Sequence, residues 1–156
     1  LKALKILKDL GTPCLIHQLH YNLLDRKAEN SRFKDFHNQG VGSIVFSPLA
    51  QGLLSDRYLK DIPEDSRAGN KESPFLEHNT VNANIVKIKK LNQIAKERNQ
   101  TLAQMALAWC LRRPEVASVL IGASTVAQIK ENLKSLDNLD FSEASIKAID
   151  KLTLEV

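Results

Sequence analysis

Two loops in this chain carry residues suited to holding phosphate groups. Phe46-Ser47-Pro48-Leu49-Ala50-Gln51-Gly52 and Ile121-Gly122-Ala123-Ser124-Thr125, continuing to Gln128, Glu131 and Asn132, each follow an apolar run of strand type. Each turns into small, hydroxylated and amide-bearing residues, and the second then opens a helix. Backbone N–H groups, hydroxyls and the positive end of a helix are what an anionic oxygen needs. The two loops stand about seventy-five residues apart. That separation points to a long ligand with several phosphates rather than to one inorganic ion. A Gly-Ala-Ser turn alone is a weak signal; its place between Val119-Leu120-Ile121 and a capped helix strengthens it.

Other chemistry is sparse. No nucleophile elbow, zinc-ligand spacing or helix-borne pair of carboxylates occurs. His17, His20 and Tyr21 cluster near a strand end, while His37 and His78 have no partner at informative spacing. Asp25-Arg26 and Lys96-Glu97 read as surface charges. Trp109, with Leu102, Met105 and Ala106, reads as core. Cys14 and Cys110 sit in apolar surroundings far apart, as small core residues of a protein kept in a reducing cytoplasm.

Composition agrees with an ordinary folded domain. The 156 residues are 43% hydrophobic and 26% charged, which excludes disordered and fibrous classes. The net charge of +4 is spread along the chain with acidic residues beside most of the basic ones, so a nucleic-acid surface is not expected. No apolar run is long enough to cross a bilayer. The first residues, Leu1-Lys2-Ala3-Leu4-Lys5, read as helix rather than as a secretory leader.

The elements that must position the two loops alternate. Helical spacing covers Leu1 to Leu10, with Gly11 as the stop. Cys14-Leu15-Ile16 reads as a strand, Ser31 to Gln39 as a helix ended by Gly40, and Val41 to Phe46 as a second strand. From Leu59 to Asn79 the pattern fails, and a stretch of that kind suggests a lid. Val81, Ile85, Ile88, Leu91 and Ala95 mark a long helix. Thr101 and Gln104 form a capping box for Leu102 to Leu111. A third strand spans Ala117 to Ile121, followed by helices at Thr125–Leu136 and, behind Ser142, Glu143–Leu152. Such alternation implies an α/β fold with a parallel sheet. Three strands do not close a barrel, which typically takes about 250 residues. The expected fold is therefore the C-terminal portion of a (β/α)8 barrel, its last three strands and their helices over residues 1–156, with the N-terminal strands absent.

These stretches resemble the aldo-keto reductase family. The likeness rests on Val45-Phe46-Ser47-Pro48-Leu49-Ala50-Gln51-Gly52-Leu53-Leu54, on Ala103 to Leu111, and on Ser118 to Ser124 with Gln128, Glu131 and Asn132. Ile16 to Leu24 is similar to the sixth-strand region of the branch that holds bacterial L-glyceraldehyde 3-phosphate reductase and the potassium-channel beta subunits. The resemblance implies NADP as cofactor and a small aldehyde or ketone as substrate. It assigns Gln18 to the nicotinamide carboxamide, Phe46 to stacking on the nicotinamide ring, and Ser47, Pro48, Leu49, Ala50, Gln51 and Gly52 to the pyrophosphate and ribose. Arg57 and Arg67 would reach the phosphates from the lid. Gly122, Ser124 and Gln128 would line the 2′-phosphate and adenosine, with Glu131 and Asn132 near the adenine. Many relatives place Lys-Ser and a downstream Arg where this chain has Gly122-Ala123 and Gln128, which removes two cations from the 2′-phosphate end.

The resemblance also locates what is missing. The family's proton donor is a Tyr supported by Lys, Asp and His, all from its first four strands, and no such set can be matched here. No catalytic or metal-binding residue is therefore expected: the chain keeps much of the cofactor grip, lacks the proton donor, and alone should be inactive. A regulatory nicotinamide-binding subunit is the alternative implied by the channel-subunit likeness. Two open parallel edges should leave the isolated chain weakly stable and prone to self-association.

Overall fold

A computed structural model describes residues 2–70 and 76–154. Its framework is a three-stranded parallel sheet in the order β1-β2-β3, with β1 at Ile16–His20, β2 at Gly42–Phe46 and β3 at Val116–Val119. The described residues form six α-helices: α1 (Lys2–Asp9), α2 (Arg32–His37), α3 (His78–Glu97), α4 (Leu102–Leu111), α5 (Val126–Leu133) and α6 (Glu143–Thr153); α2 makes the crossover from β1 to β2, and α3 with α4 the crossover from β2 to β3. The sheet is open, with helices against one face. This is a partial (β/α)8-type barrel, as the alternation predicts.

Helix ends follow the expected signals. Gly11 and Gly40 both take φ of +71°, the left-handed turn that stops α1 and α2. Thr101 Oγ1 accepts the Gln104 N–H while the Gln104 side chain accepts the Thr101 N–H, so the capping box before α4 is complete. Ser142 accepts the Ser145 N–H at the start of α6. Ser31 precedes α2 without making a side-chain cap.

Several expectations need correction. The first strand begins at Ile16, not Cys14, because the pairing register starts at Ile16↔Gly42 and runs to His20↔Phe46. Apolar residues mark only part of this strand: Leu19 faces the helices, while Ile16, Gln18 and His20 alternate onto the open face. Cys14 is consequently half-buried beside the strand, whereas Cys110 is fully buried and its thiol is pushed up to about 12 by that burial. The third strand is shorter than expected and ends at Val119, although the Leu120 N–H still bonds to the Val45 carbonyl. Residues 59–70 are not structureless. They form hydrogen-bonded turns with Ser66 and Ala68 buried. Residues 71–75 of the expected lid lie outside the described residues, and its last two, His78 and Asn79, open α3.

The core lies between the sheet and the helices. Trp109, Tyr21, Phe33, Leu54, Ile88, Leu91, Leu102, Met105 and Ile149 are fully buried there. Arg26 is no surface charge. It pairs with Glu29 at 2.8 Å and with Asp150 at 2.6 Å, and its guanidinium lies 4.9 Å from the Trp109 ring centroid. Arg112 covers the same ring at 3.9 Å. The Tyr21 hydroxyl donates to Glu29.

Candidate functional site

The loops after β2 and β3 and the turn-rich segment before α3 enclose one groove of about 920 Å³. Its floor begins with backbone strain. Ser47, Ala50 and Gln51 take φ of +54°, +46° and +60°. Left-handed backbone costs a residue with a Cβ roughly 1–2 kcal/mol, so three in one loop indicate a shape imposed by its surroundings. Asn22 supplies part of that constraint. It is 1% exposed; its side-chain N–H donates to the Ser47 carbonyl at 3.0 Å, and its Oδ1 accepts the Leu24 and Asp25 N–H groups. One amide thus ties the end of β1 to the start of the loop after β2. Nothing in the sequence pattern singles Asn22 out, because its role depends on a partner 25 residues away.

Ser47, Pro48, Leu49, Gln51 and Gly52 line the groove; Ala50 packs towards the core beneath them. Gln51 Oε1 is buried and has no hydrogen-bond partner among the described residues. From the opposite wall come Gly122, Ser124, Gln128, Glu131 and Asn132. Thr125 caps α5 through the Gln128 N–H, while Gln128 Oε1 accepts the Ser124 N–H at 2.6 Å. The loop therefore closes on itself through neutral groups.

Arg57 and Arg67 complete the groove from the segment between β2 and α3. Arg57 sits in a turn started by Ser55, whose Oγ accepts the Arg57 N–H. Its guanidinium is held by Asp65, through the carboxylate at 2.9 Å and the carbonyl at 3.0 Å. Gly69 makes the return turn possible, since a Cβ there would lie 2.1 Å from the Pro63 carbonyl oxygen. Sequence reasoning missed Asp56, Asp65 and Thr101 as lining residues. Asp65 falls in the stretch where periodicity fails, which left only residue type as a signal.

Gln18 and Phe46 do not line this groove. They stand on the open face of the sheet, where His20 is paired with Phe46 in register and their rings lie 5.1 Å apart. His20 Nδ1 is 3.0 Å from Asp25 Oδ2. The two tyrosines of the chain are both buried. Burial raises the Tyr21 hydroxyl well above its usual range, and its bond to Glu29 adds to this. It is not placed to give a proton to a ligand in the groove. Among the described residues, no cluster of His, Cys, Asp or Glu could hold a metal ion, and no helix is long and apolar enough to cross a membrane.

A parallel sheet flanked by helices, with the loops after β2 and β3 and two arginines around a single groove, defines an α/β protein of the partial (β/α)8-barrel class. Residues 2–154 match the model of the aldo/keto reductase family. The chain belongs to that family. It is 45% identical over 154 residues to L-glyceraldehyde 3-phosphate reductase of Escherichia coli (strain K12), covering 96% of this chain and 44% of that protein. The O157:H7 form of the same reductase gives the same figures. A probable voltage-gated potassium channel subunit beta of Arabidopsis thaliana is 39% identical over 132 residues, 83% of this chain and 40% of that protein. The chain thus spans less than half the length of these relatives.

Proposed function

We propose that this chain is the cofactor-binding part of an NADP-dependent oxidoreductase that reduces aldehydes or ketones to alcohols. The observation that carries the reading is the convergence of the loop after β2, the loop after β3, Arg57 and Arg67 on one groove of about 920 Å³. The residues fit a dinucleotide. Two guanidinium groups suit a pyrophosphate through their fork geometry. The partnerless acceptor Gln51 Oε1 suits a ribose hydroxyl rather than a phosphate oxygen. Glu131 and Asn132 offer an acceptor and an amide to a base at the far end. When bound, NADPH supplies the hydride. Phe46 offers a flat apolar surface for its ring, and Gln18, on the same open face, offers an amide to the carboxamide.

The 2′-phosphate end is the least cationic part. Gly122, Ala123 and Gln128 contribute no charge, and the Gln128 carbonyl oxygen is already engaged by Ser124. NADP remains the first choice over NAD because the channel-subunit branch combines a glutamine there with NADP. These 156 residues offer no match to the family's Asp-Tyr-Lys-His set, so the chain by itself is expected to bind without turnover. The similarity to a reductase is higher and more extensive than that to a channel subunit, which favours the enzymatic reading over a regulatory one.

Ligand-dependent thermal unfolding tests this. A ligand at a hundred times its Kd stabilises the folded state by about 2.7 kcal/mol. NADPH should raise the melting temperature of the chain, and NADH should do so only at higher concentration. The absence of a shift with either nucleotide would sink the proposal. Oxidation of NADPH by an aldehyde in the presence of the purified chain alone would refute the claim that it does not turn over.

A further inference from the structure

We propose that Gln104 is a positioning residue for Glu131 and so sets which nucleobase the groove accepts. The inference rests on the dinucleotide reading above and adds to it a residue that does not line the groove. From sequence Gln104 is only the third residue of a capped helix. In the structure it does two things with one amide.

Gln104 Oε1 accepts the Thr101 N–H at 3.0 Å. A backbone N–H can only donate, so this bond fixes which way the amide faces. Nε2 is thereby turned away from the cap, and it donates to the Glu131 carbonyl at 3.2 Å and to Glu131 Oε2 at 3.2 Å. The other carboxylate oxygen of Glu131 accepts from Lys134 Nζ. Gln104 is 7% exposed, so water competes poorly for its amide. The carboxylate is held at both oxygens, on the groove wall next to Asn132.

A carboxylate has four lone-pair directions, and two are taken. What it still offers a base is acceptor capacity alone. A base edge bearing an exocyclic amine is complementary to that. A base with a carbonyl oxygen at the same place meets a second acceptor and loses solvation without gaining a bond. The orientation that creates this preference originates in the first turn of α4, not in α5 where Glu131 resides.

Gln104→Glu is the discriminating substitution. Glutamate is as suitable as glutamine at this place in a capping box, so the helix start is retained. The donor to Glu131 is replaced by a second carboxylate, which repels it. The affinities of NADPH and of its hypoxanthine analogue are measured for both proteins. Native protein should prefer the adenine form by about tenfold, the scale of one net hydrogen bond, and Gln104→Glu should bring the ratio near unity, with a lowered melting temperature from the buried like-charge pair in a protein that still folds. Gln104→Met, of similar length and without charge, should lower the ratio too while also weakening the cap, and it carries the test should the glutamate variant not fold. A native protein that binds both nucleotides equally, or folded variants that keep the native ratio, would overturn the proposal. Failure of the native protein to bind either nucleotide would instead strike the dinucleotide reading itself.

Discussion

Arg57 enters the groove already engaged. Its partner Asp65 is 84% exposed at the side chain, and Arg57 itself 42%. An ion pair this exposed is worth about 0–1 kcal/mol, so an incoming phosphate competes with Asp65 on favourable terms, yet has to displace it. Asp65→Asn should remove the competitor and leave the turn intact, because the Asp65 carbonyl bond to Arg57 persists. NADPH affinity should rise roughly two- to fivefold. The gain should shrink at high salt, where exposed charges are screened, and should vanish for adenosine, which has no phosphate. Titration calorimetry of the variant at two ionic strengths checks this. An unchanged affinity for NADPH at low salt would mean that Asp65 and the ligand do not share Arg57. At this scale motif membership was a partial guide: Ser47, Gln51, Gly122 and Asn132 meet in the groove, whereas Gln18 and Phe46 lie on the open face of the sheet and Ala50 packs towards the core. Asn22, Asp65 and Gln104 were not legible as site residues. Each acts through a partner that folding brings to it.

At the scale of elements, local signals and tertiary signals divide in the same way. Caps and stops are written in adjacent residues, and Gly11, Gly40, the Thr101 box and Ser142 were all readable. The start of β1 was not, because register is decided by the neighbouring strand rather than by hydrophobicity. The role of Arg26 was hidden for a related reason: its partner Asp150 lies 124 positions away, on α6. This joint has a pH signature. Burial alone would raise the Glu29 carboxyl, but hydrogen bonds from Arg26 and Tyr21 and the charges of Arg26 and Arg112 outweigh it and hold it below 4.5. The charged form is therefore favoured by folding, and its stabilisation is complete above about pH 4.5 and lost as pH falls through the lower native value. His17 is lowered from 6.5 by burial and then by Arg32, while stacked on Phe36 at 4.0 Å. Its neutral form is favoured, so this contribution is present above pH 6.5 and lost as pH falls through its native value. Urea midpoints should thus decline in two stages on acidification. His17→Phe, which keeps a ring against Phe36, should abolish the upper stage and leave the lower one. If the variant retains the decline beginning near pH 6.5, another group is responsible.

For the molecule as a whole, the decisive feature is asymmetry of covering. One face of the sheet carries the packed helices. The other exposes Ile16, Gln18, His20 and Phe46, and neither outer edge has a strand partner among the described residues. In a closed barrel both edges would be paired. The flank beside β3 is apolar as well: Val126, Ile129, Leu133 and Leu136 recur at helical spacing along α5 and the turn after it, each at least 44% exposed. Stripes of this kind mark surfaces that another element or molecule covers. The isolated chain should accordingly self-associate, with a sedimentation coefficient that rises with concentration. Leu133→Glu combined with Leu136→Lys should shift it towards monomer. Both side chains are exposed, so the cost to folding should stay within about 0.5 kcal/mol each. Concentration-independent sedimentation of the native chain as a monomer would defeat the expectation. If the native chain associates and the double variant associates equally, the open strand edges rather than the α5 stripe drive it. NADPH tells the two apart, since α5 turns Gln128, Glu131 and Asn132 to the groove while Val126, Ile129 and Leu133 lie outside its lining. If the α5 stripe drives association, saturating NADPH should stabilise each copy without changing how many copies assemble.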